Sequence, residues 1–274
     1  MEINKMNYSQ FVGLVDERNR PSGGIRTVQI ATLNARIDRN SKVLEIGSNT
    51  GFTSVNISLL TGAEVVGIDY NGPSVEKARE YANNMGAERV KFLEADATRL
   101  PFGDGEFDMV WCSNVTSFIE DKDKAIAEYL RVLKPFGTLI LVPIYYHISP
   151  PEKIRKAVSN AIGCEVGVWD KQFWLDAFKR NAYKHNVALE KYFDQEFQYL
   201  DRSANLKEYT ELQLSKIDRN NYSDEEWVKI QEKAKYFYTL FNENNFKYAR
   251  YSVILLQKRL VEEEAELFIS RAVE

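Results

Sequence analysis

One stretch constrains the fold of this chain more than any other: Lys42 to Gly51, which reads KVLEIGSNTG. A short apolar run that carries Glu45 breaks there into a loop of Gly, Ser, Asn and Thr. The next segment, FTSVNISLL, reads as a helix. A strand, a tight turn and a helix N-terminus in this order bring backbone N–H groups up to a ligand. The stretch therefore predicts a ligand-binding loop in an α/β fold.

Strands and helices alternate from residue 42 onward. Predicted strands cover 42–46, 64–69, 89–93, 107–112 and 138–142. The helices between them begin near 51, 73 and 121, and Lys134-Pro135-Phe136-Gly137 is expected to form a turn. This alternation predicts right-handed βαβ crossovers, and hence a mostly parallel α/β sheet with helices on both faces.

The segments before and after this alternating core differ from it in predicted secondary structure and in aromatic content. Residues 6–37 are predicted to be helical around a Pro- and Gly-containing hinge at 19–26. This part forms a helical cap, or a lid in which Arg18, Arg20 or Arg26 meets a carboxylate. More than half of the aromatic side chains fall between 169 and 251. Expected elements after Pro143 are helices at 152–162, 170–182, 205–217 and 224–243, strands at 187–200 and 248–257, and a helix at 258–270.

The four segments predicted from these changes are a cap at 1–40, a ligand-binding core at 41–145, an aromatic-rich part at 146–258, and a C-terminal helix at 259–274. The net charge of −4 and the absence of a basic block argue against a nucleic-acid surface. No apolar run approaches the about 18 residues of a membrane span. The N-terminus lacks a secretory signal, and Cys112 and Cys164 lack CxxC spacing. We therefore expect a cytoplasmic protein with reduced thiols and no metal site.

Acidic residues follow two further strands at positions that suit an adenosine. Asp69 ends the second strand about 20 residues past the glycine loop, where an acid accepts from both hydroxyls of a ribose. Asp96 and Ala97 follow the third strand, where an acid and a backbone N–H can bind an adenine edge. The ligand is therefore expected to have an adenosine-like half.

The charge of the loop separates two such ligands. A dinucleotide places a pyrophosphate on a G-x-G-x-x-G loop, whereas this loop reads G-S-N-T-G after Glu45. A carboxylate facing the loop repels a pyrophosphate and suits an ammonium or sulfonium group. This electrostatic argument favours S-adenosylmethionine (SAM) over NAD. An NAD dehydrogenase is the competing interpretation of this site.

Five motifs in order resemble the class I SAM-dependent methyltransferases, and most of all their small-molecule branch of the ubiquinone/menaquinone-biosynthesis type. They are VLEIGSNTGFTS, GIDYN, EADATRLPF, FDMVWCSNV and LKPFGTLILV, within about residues 40–142. The resemblance implies a Rossmann-like, seven-stranded sheet of order 3-2-1-4-5-7-6. It also implies an antiparallel strand at 248–257 and a helical insertion between strands six and seven.

The resemblance also implies site residues. Glu45, Gly47, Ser48, Asn49 and Gly51 would surround the methionine half of the cofactor. The family pattern has Gly where this chain has Asn49; Asn tolerates positive φ, so the loop conformation is expected to survive. The other implied cofactor residues are Asp69 at the ribose, Tyr70, Asp96 and Ala97 at the adenine, and Ser113, Asn114 and Val115 after strand four.

Candidates for the acceptor end follow strand five. His147 is a candidate general base, and Tyr146 is a second catalytic candidate. Tyr145, Tyr146 and Arg26 are candidate acceptor-binding residues. An ordinary loop role is the competing interpretation for His147 and both tyrosines. Cys112 lacks a preceding Pro, so a buried structural thiol is expected rather than a nucleophile.

The sequence thus predicts a methyltransferase that moves the methyl group of SAM to N, O or C of a small metabolite, as a monomer or homodimer. The alternatives are a protein or tRNA methyltransferase, and a SAM-binding regulator without transfer activity. The chain lacks the Asn/Asp-Pro-Pro-aromatic motif of nucleobase amino methylases, since SNVT stands there. The cap and the aromatic-rich part are expected to form the acceptor pocket.

Overall fold

Five parallel strands form the centre of the sheet, in the order β3-β2-β1-β4-β5. The computed structural model describes residues 3–15 and 17–260. The five strands are β1 (Lys42–Ile46), β2 (Glu64–Asp69), β3 (Val90–Glu94), β4 (Phe107–Cys112) and β5 (Leu133–Leu141). Three further strands are β6 (Ile144–Tyr146), β7 (Val187–Gln198) and β8 (Ala249–Leu260). The predicted bounds of β1, β2 and β4 are confirmed.

Nine α-helices accompany the strands in the described part of the chain. They are α1 (Tyr8–Leu14), α2 (Ile25–Ala35), α3 (Phe52–Thr61), α4 (Gly72–Asn84), α5 (Lys122–Val132), α6 (Glu152–Ile162), α7 (Lys171–Lys184), α8 (Leu206–Leu214) and α9 (Asp224–Tyr248). Side-chain caps fix several helix starts, including the capping box in which Ser223 and Glu226 begin α9. Within the described residues, no helix has the length and apolar character that crossing a membrane requires.

The far side of the sheet explains why eight strands occupy seven positions. Ile254 of β8 pairs with Leu141 of β5 and with Asp194 of β7. A strand has two edges, so β5 and β7 lie on opposite sides of β8. Short β6 pairs antiparallel with the beginning of β8 and continues β5 beyond Pro143. With β5 and β6 counted as one position, the order is the expected 3-2-1-4-5-7-6, with β8 antiparallel and α8 and α9 inserted before it.

Two predictions at the ends of elements were wrong. The segment Lys134–Gly137, predicted as a turn, lies within β5, which begins at Leu133 rather than Thr138. Phe136 there has φ 62°, and the β4–β5 register shifts between Phe107 and Met109, so a bulge absorbs the extra residues. The predicted C-terminal helix does not begin at 258, because β8 continues to Leu260. Its remainder, 261–274, lies outside the described residues.

Alternation along the strands produces a core on each face of the sheet. Leu44 packs in the cluster that contains side chains of α5 and α7. Its neighbour Val43 packs in the opposite cluster, with side chains of α2 and α3. Cys112 is buried in the first cluster, and burial raises the pKa of its thiol to about 11, as expected of a structural cysteine.

A third cluster covers the carboxyl-end side of the sheet and joins distant parts of the chain. Phe11 of α1 packs against Phe237 of α9, with ring centroids 5.4 Å apart, and Tyr8 lies 4.6 Å from the ring of Phe241. Val158 of α6 is buried in the same cluster. We name α1, α6 and α9 together the roof. The division at 40, 145 and 258 stays a prediction.

Candidate cofactor and acceptor site

The loop after β1 forms the floor of the candidate site. Gly47, Asn49 and Gly51 all have left-handed backbone, with φ of 74°, 44° and 85°. The N–H groups of Gly47 and Ser48 donate to the carbonyl of Ile68, at 2.9 and 2.8 Å. Asn49 thus adopts the conformation that the family pattern reserves for Gly, as expected. The loop is tied to the end of β2.

Glu45 lies beneath this loop with its side chain 3% exposed. Its Oε2 accepts from the backbone N–H of Ser54, at 2.9 Å, and from the Ser54 hydroxyl, at 2.5 Å. Burial raises the pKa of Glu45 to about 7, and the nearby Asp69 carboxylate adds a smaller contribution. These bonds hold the carboxylate against the first turn of α3, where it lines the cavity described below.

Asp69 at the end of β2 connects two loops. Its Oδ2 accepts from the N–H of Asn49, at 2.8 Å, and its Oδ1 accepts from the N–H of Asn71, at 2.9 Å. Burial raises the pKa of this carboxyl, and the hydrogen bonds from the backbone oppose that shift. Each carboxylate oxygen keeps a further lone pair, so the residue can cap its turn and still accept from a ligand hydroxyl.

The two glycines of the loop differ in their surroundings. A Cβ on Gly47 would lie 2.6 Å from Cγ2 of Val115, so the loop approaches the segment after β4 as closely as glycine permits. A Cβ on Gly51 would lie 2.8 Å from Cζ of Phe92 and 3.0 Å from Cβ of Ala78. Gly47 lines the cavity, whereas Gly51 packs behind the loop against the α4 and β3 side.

A cavity of about 680 Å³ opens above the loop. Its size falls in the range usual for small-molecule and cofactor sites. The predicted residues that line it are Glu45, Gly47, Ser48, Asn49, Asp69, Ser113, Asn114, Val115, Tyr145 and Tyr146. Among the described residues, the buried hydroxyl of Ser48 has no hydrogen-bond partner. An unpaired buried hydroxyl in the floor of a cavity is a group that a ligand can satisfy.

Besides Gly51, and His147 described below, four predicted residues lie outside the cavity lining. Tyr70 is 82% exposed, and Asp96 is exposed with its Oδ1 accepting from the N–H and hydroxyl of Thr98, both at 2.8 Å. Ala97 is half-buried against the core cluster of α5 and α7. Arg26 is exposed, with its guanidinium 5.8 Å from the ring centroid of Phe197. None of the four lines the cavity, and their roles stay predictions.

The residues after β5 divide between the cavity and its outer wall. The Tyr145 hydroxyl donates to Oε2 of Glu196, at 2.6 Å, and shares a hydrogen bond with Ser252, at 2.8 Å. His147 is exposed, and its Nδ1 lies 2.8 Å from the carbonyl oxygen of Tyr248, outside the cavity lining. The general-base role of His147 therefore stays a prediction without a cavity contact to support it.

The N-terminal segment contributes Asn19, which the sequence did not single out, and Arg20, one of its three candidate arginines. Asn19 donates its N–H to the Thr50 hydroxyl, at 3.4 Å, so the hinge lies against the loop. The Arg20 guanidinium lies 5.0 Å from the ring centroid of Phe52, at the start of α3. Among the described residues that line the cavity, Arg20 is the only Lys, Arg or His. The sequence predicts an acceptor contact for Arg26, whereas Arg20 is the one of the three arginines that lines the cavity.

Hydrogen bonds hold this segment to the insertion. Glu17 accepts from the hydroxyls of Tyr209, at 2.6 Å, and Tyr238, at 2.9 Å. The Ser22 hydroxyl lies 2.6 Å from that of Tyr199. These pairs are far apart in sequence, so no local pattern could reveal them. They close the cavity from the side of α1, as the predicted cap would.

The other end of the cavity belongs to the roof and to the segment after α6. Tyr146 donates its hydroxyl proton to Oδ1 of Asn244, at 3.1 Å. Burial raises the pKa of Tyr146, and burial also raises that of the half-buried Cys164. The residues that line the cavity at this end are Tyr8, Val12, Val158, Ile162, Cys164, Val166, Trp169, Phe241, Asn244 and Asn245.

Comparison with known proteins bears on the core of this site. A family model described as a methyltransferase domain matches residues 44–141, which run from within β1 to the end of β5 and include the loop. The demethylmenaquinone methyltransferase of Thermus thermophilus is 39% identical over 113 residues. The match covers 41% of this chain and 49% of that protein. The chain thus spans about half the length of this relative.

Solved structures extend the likeness over the whole fold. The crystal structure of MccD protein has a TM-score of 0.71 at 23% identity and covers 88% of this chain and 100% of that one. A phosphoethanolamine N-methyltransferase of Haemonchus contortus, solved with phosphomonomethylethanolamine and S-adenosylhomocysteine, has a TM-score of 0.69 at 16% identity. That match covers 92% of this chain and 57% of the other. The chain therefore contains a methyltransferase domain, residues 44–141, within the Rossmann-like α/β fold of the class I methyltransferases.

Proposed function

We propose that this protein moves the methyl group of SAM to N, O or C of a small metabolite by in-line displacement. One observation carries the proposal: the carboxylates of Glu45 and Asp69 line one cavity, at adjacent strand ends, around a loop with left-handed residues. The methyltransferase domain supports SAM as the donor. The Thermus relative, a demethylmenaquinone methyltransferase by name, supports a small-molecule acceptor.

The residues present fit SAM better than a dinucleotide. Glu45 puts a carboxyl group where a pyrophosphate would need neutral or cationic surroundings. The unpaired Ser48 hydroxyl and the close approach of Gly47 to Val115 fit a ligand that lies on the loop. Asp69 stands at the end of β2, where a ribose is expected. The residues of the cofactor end thus favour a cationic ligand that carries an adenosyl group.

Arg20 completes the assignment of the cofactor end. SAM carries a carboxylate on its methionine half, and Arg20 is the only cationic side chain that lines the cavity within residues 3–15 and 17–260. Its guanidinium packs at the start of α3, beside the loop. Arginine binds carboxylates in a bidentate geometry. We assign Arg20 to that carboxylate rather than Arg26, because Arg20 lines the cavity and Arg26 does not.

When bound, SAM supplies a methyl group on a positively charged sulfur. The chain's own contribution is to hold nucleophile, methyl carbon and sulfur in line and to exclude water. The roof and the 17–24 segment are placed to do this, because they cover the cavity from both sides. Raised pKa values make Tyr146 and Cys164 poor bases at neutral pH, which favours acceptors that need no protein base.

Two observations weigh against the alternatives. An open cavity of about 680 Å³ favours transfer over a regulator whose pocket is filled by aromatic side chains. Arg20 lies at the cofactor end, so no basic rim supports a protein or tRNA acceptor among the described lining residues. Cytoplasmic location and a monomeric or homodimeric state stay predictions.

Calorimetry with SAM, S-adenosylhomocysteine and NAD tests the cofactor. We expect the two adenosyl ligands to bind and NAD not to bind; NAD binding without SAM binding would refute the proposal. A labelled-methyl transfer screen over metabolite pools then tests activity. Cofactor binding with no labelled product in any pool would replace the enzyme by the regulator.

A further inference from the structure

The acceptor end of the cavity has an unusual polarity. We name acceptor chamber the part lined by α1, α6, α9, Tyr146 and the segment 164–169. The charged side chains among the described cavity linings are Arg20, Glu45 and Asp69, and all three belong to the cofactor end. The acceptor chamber is thus built from aromatic and aliphatic groups with a few uncharged polar ones.

Two asparagines interrupt this apolar lining. Asn244 is 4% exposed, within a helix whose buried positions are otherwise mostly apolar. It accepts from the Tyr146 hydroxyl at 3.1 Å, and its Nδ2 donates to Oδ1 of Asn245 at 3.0 Å. Burying an amide costs free energy unless its groups are hydrogen-bonded. A leucine would fill the same position without that cost, so packing alone does not account for Asn244.

This hydrogen-bonded chain keeps unused capacity. The Tyr146 hydroxyl donates its proton to Oδ1 of Asn244, and its oxygen retains lone pairs that can accept. One N–H of the Asn244 side chain is donated to Asn245, and the second N–H can donate to a ligand. A group that both donates and accepts is matched to this pair, and a hydroxyl is the simplest such group.

The charge of the chamber limits the acceptor further. A phosphate or carboxylate buried there would touch no cationic side chain among the described lining residues of the chamber, which is unfavourable. An ammonium group would touch no carboxylate among the same lining residues and would face the positive sulfur of SAM. An ammonium group also has no lone pair for attack, and the described residues that line the chamber include no carboxylate or imidazole to take its proton.

We propose that Tyr146, Asn244 and Asn245 select an uncharged acceptor that has a ring-sized apolar body and a hydroxyl group. The inference rests on the proposed methyl transfer and adds the acceptor class to it. The aromatic rings of Tyr8, Trp169 and Phe241 line the chamber around the body, and the asparagine chain holds the hydroxyl.

A set of matched probes tests the acceptor class. Calorimetry on the full chain, saturated with S-adenosylhomocysteine, compares 4-methylphenol, 4-methylbenzoate and 4-methylbenzylammonium. These share a ring and differ in charge. We expect 4-methylphenol to bind about tenfold more tightly than either ion, the effect of one well-formed hydrogen bond without a buried charge. Tightest binding by 4-methylbenzoate or 4-methylbenzylammonium, or no measurable binding by 4-methylphenol, would overturn the proposal.

Two substitutions test the residues. Asn244→Leu should weaken 4-methylphenol binding about tenfold and leave S-adenosylhomocysteine binding unchanged. Asn244→Asp should shift the preference to 4-methylbenzylammonium. Asn242→Leu is the matched control, because Asn242 lies on the same helix, outside the cavity lining, and hydrogen-bonds with Asp201 and Ser203. Unchanged 4-methylphenol binding in Asn244→Leu would overturn the role of Asn244.

The cofactor measurement separates this inference from the proposed function. Wild-type protein that fails to bind S-adenosylhomocysteine refutes the proposed function, whatever the probes do. Wild-type protein that binds it but shows no preference among the three probes refutes the acceptor class alone.

Discussion

Replacing Glu45 by Gln removes one ionisable group and keeps the shape of the site. The Glu45 carboxylate is buried and accepts two hydrogen bonds from Ser54, and a Gln side-chain oxygen can accept from the same backbone N–H. Burial raises the pKa of Glu45 from 4.5 to about 7. The substitution should therefore change how stability depends on pH, more than it changes packing.

The sign and size follow from linkage. A carboxyl whose pKa is raised on folding stabilises the native state fully below pH 4.5, and this contribution is lost as the pH rises through about 7. The raised pKa of Glu45 corresponds to about 3 kcal/mol, at about 1.4 kcal/mol for each pH unit. Since Gln stays neutral, Glu45→Gln should gain about 2–3 kcal/mol in unfolding free energy over wild type between pH 5 and pH 8.

Urea melts of wild type and Glu45→Gln at several pH values from 5 to 8 measure this difference directly. Every other titrating group is common to both proteins, so its contribution cancels. Parallel curves of unfolding free energy against pH for the two proteins would refute the raised pKa and the electrostatic argument that rests on it. SAM binding at pH 6 should also release more protons from wild type than from the variant, because a cationic ligand favours ionised Glu45.

Three further predictions concern the cofactor end. Asp69→Ala should weaken SAM binding by about 1–3 kcal/mol in calorimetry; unchanged affinity would remove Asp69 from the ribose. Gly47→Ala should abolish measurable SAM binding, because its Cβ would lie 2.6 Å from Val115 at a φ of 74°; wild-type affinity would contradict this close approach. Arg20→Met should weaken SAM about tenfold and leave decarboxylated SAM unaffected; equal losses for both would place Arg20 away from the carboxylate.

The central strands of the sheet could be predicted from the sequence because of how they are buried. Strands such as β1 and β2 are buried on both faces, so they read as continuous apolar runs with Gly or Asp at their ends. The bulge in β5 could not be predicted from the sequence, because the segment Pro135-Phe136-Gly137 is also typical of a turn. A β-bulge and a turn use the same residues, and the register of the neighbouring strand decides between them.

The candidate site divides in the same way. Motif spacing placed Glu45, the loop and Asp69 at strand ends, and topology brings strand ends together. Whether a side chain at a strand end also lines the cavity depends on the conformation of the loop. Motif spacing does not predict that conformation. Tyr70 therefore turns out exposed, and Arg20 rather than Arg26 lines the cavity.

The acceptor end was the least predictable part. Asn244 stands in a helix where the hydrophobic pattern predicts only a buried face. Its significance comes from Tyr146, which is 98 residues earlier in the chain. Contacts of that separation leave no local signature, so the aromatic composition predicted a pocket but not its polarity.

The hydrogen bonds of Glu17 can form only late in the synthesis of this protein. Its partners Tyr209 and Tyr238 follow it by 192 and 221 residues, so they leave the ribosome long after it. The cofactor loop and its strands are complete much earlier, by residue 141. Asn19 and Arg20 can contact Thr50 and Phe52 early, but the two hydrogen bonds of Glu17 require α8 and α9, and contacts of such long sequence separation form slowly. The closure of the cavity by these two hydrogen bonds is therefore among the last steps in the assembly of the fold, after the loop and its strands have been synthesised.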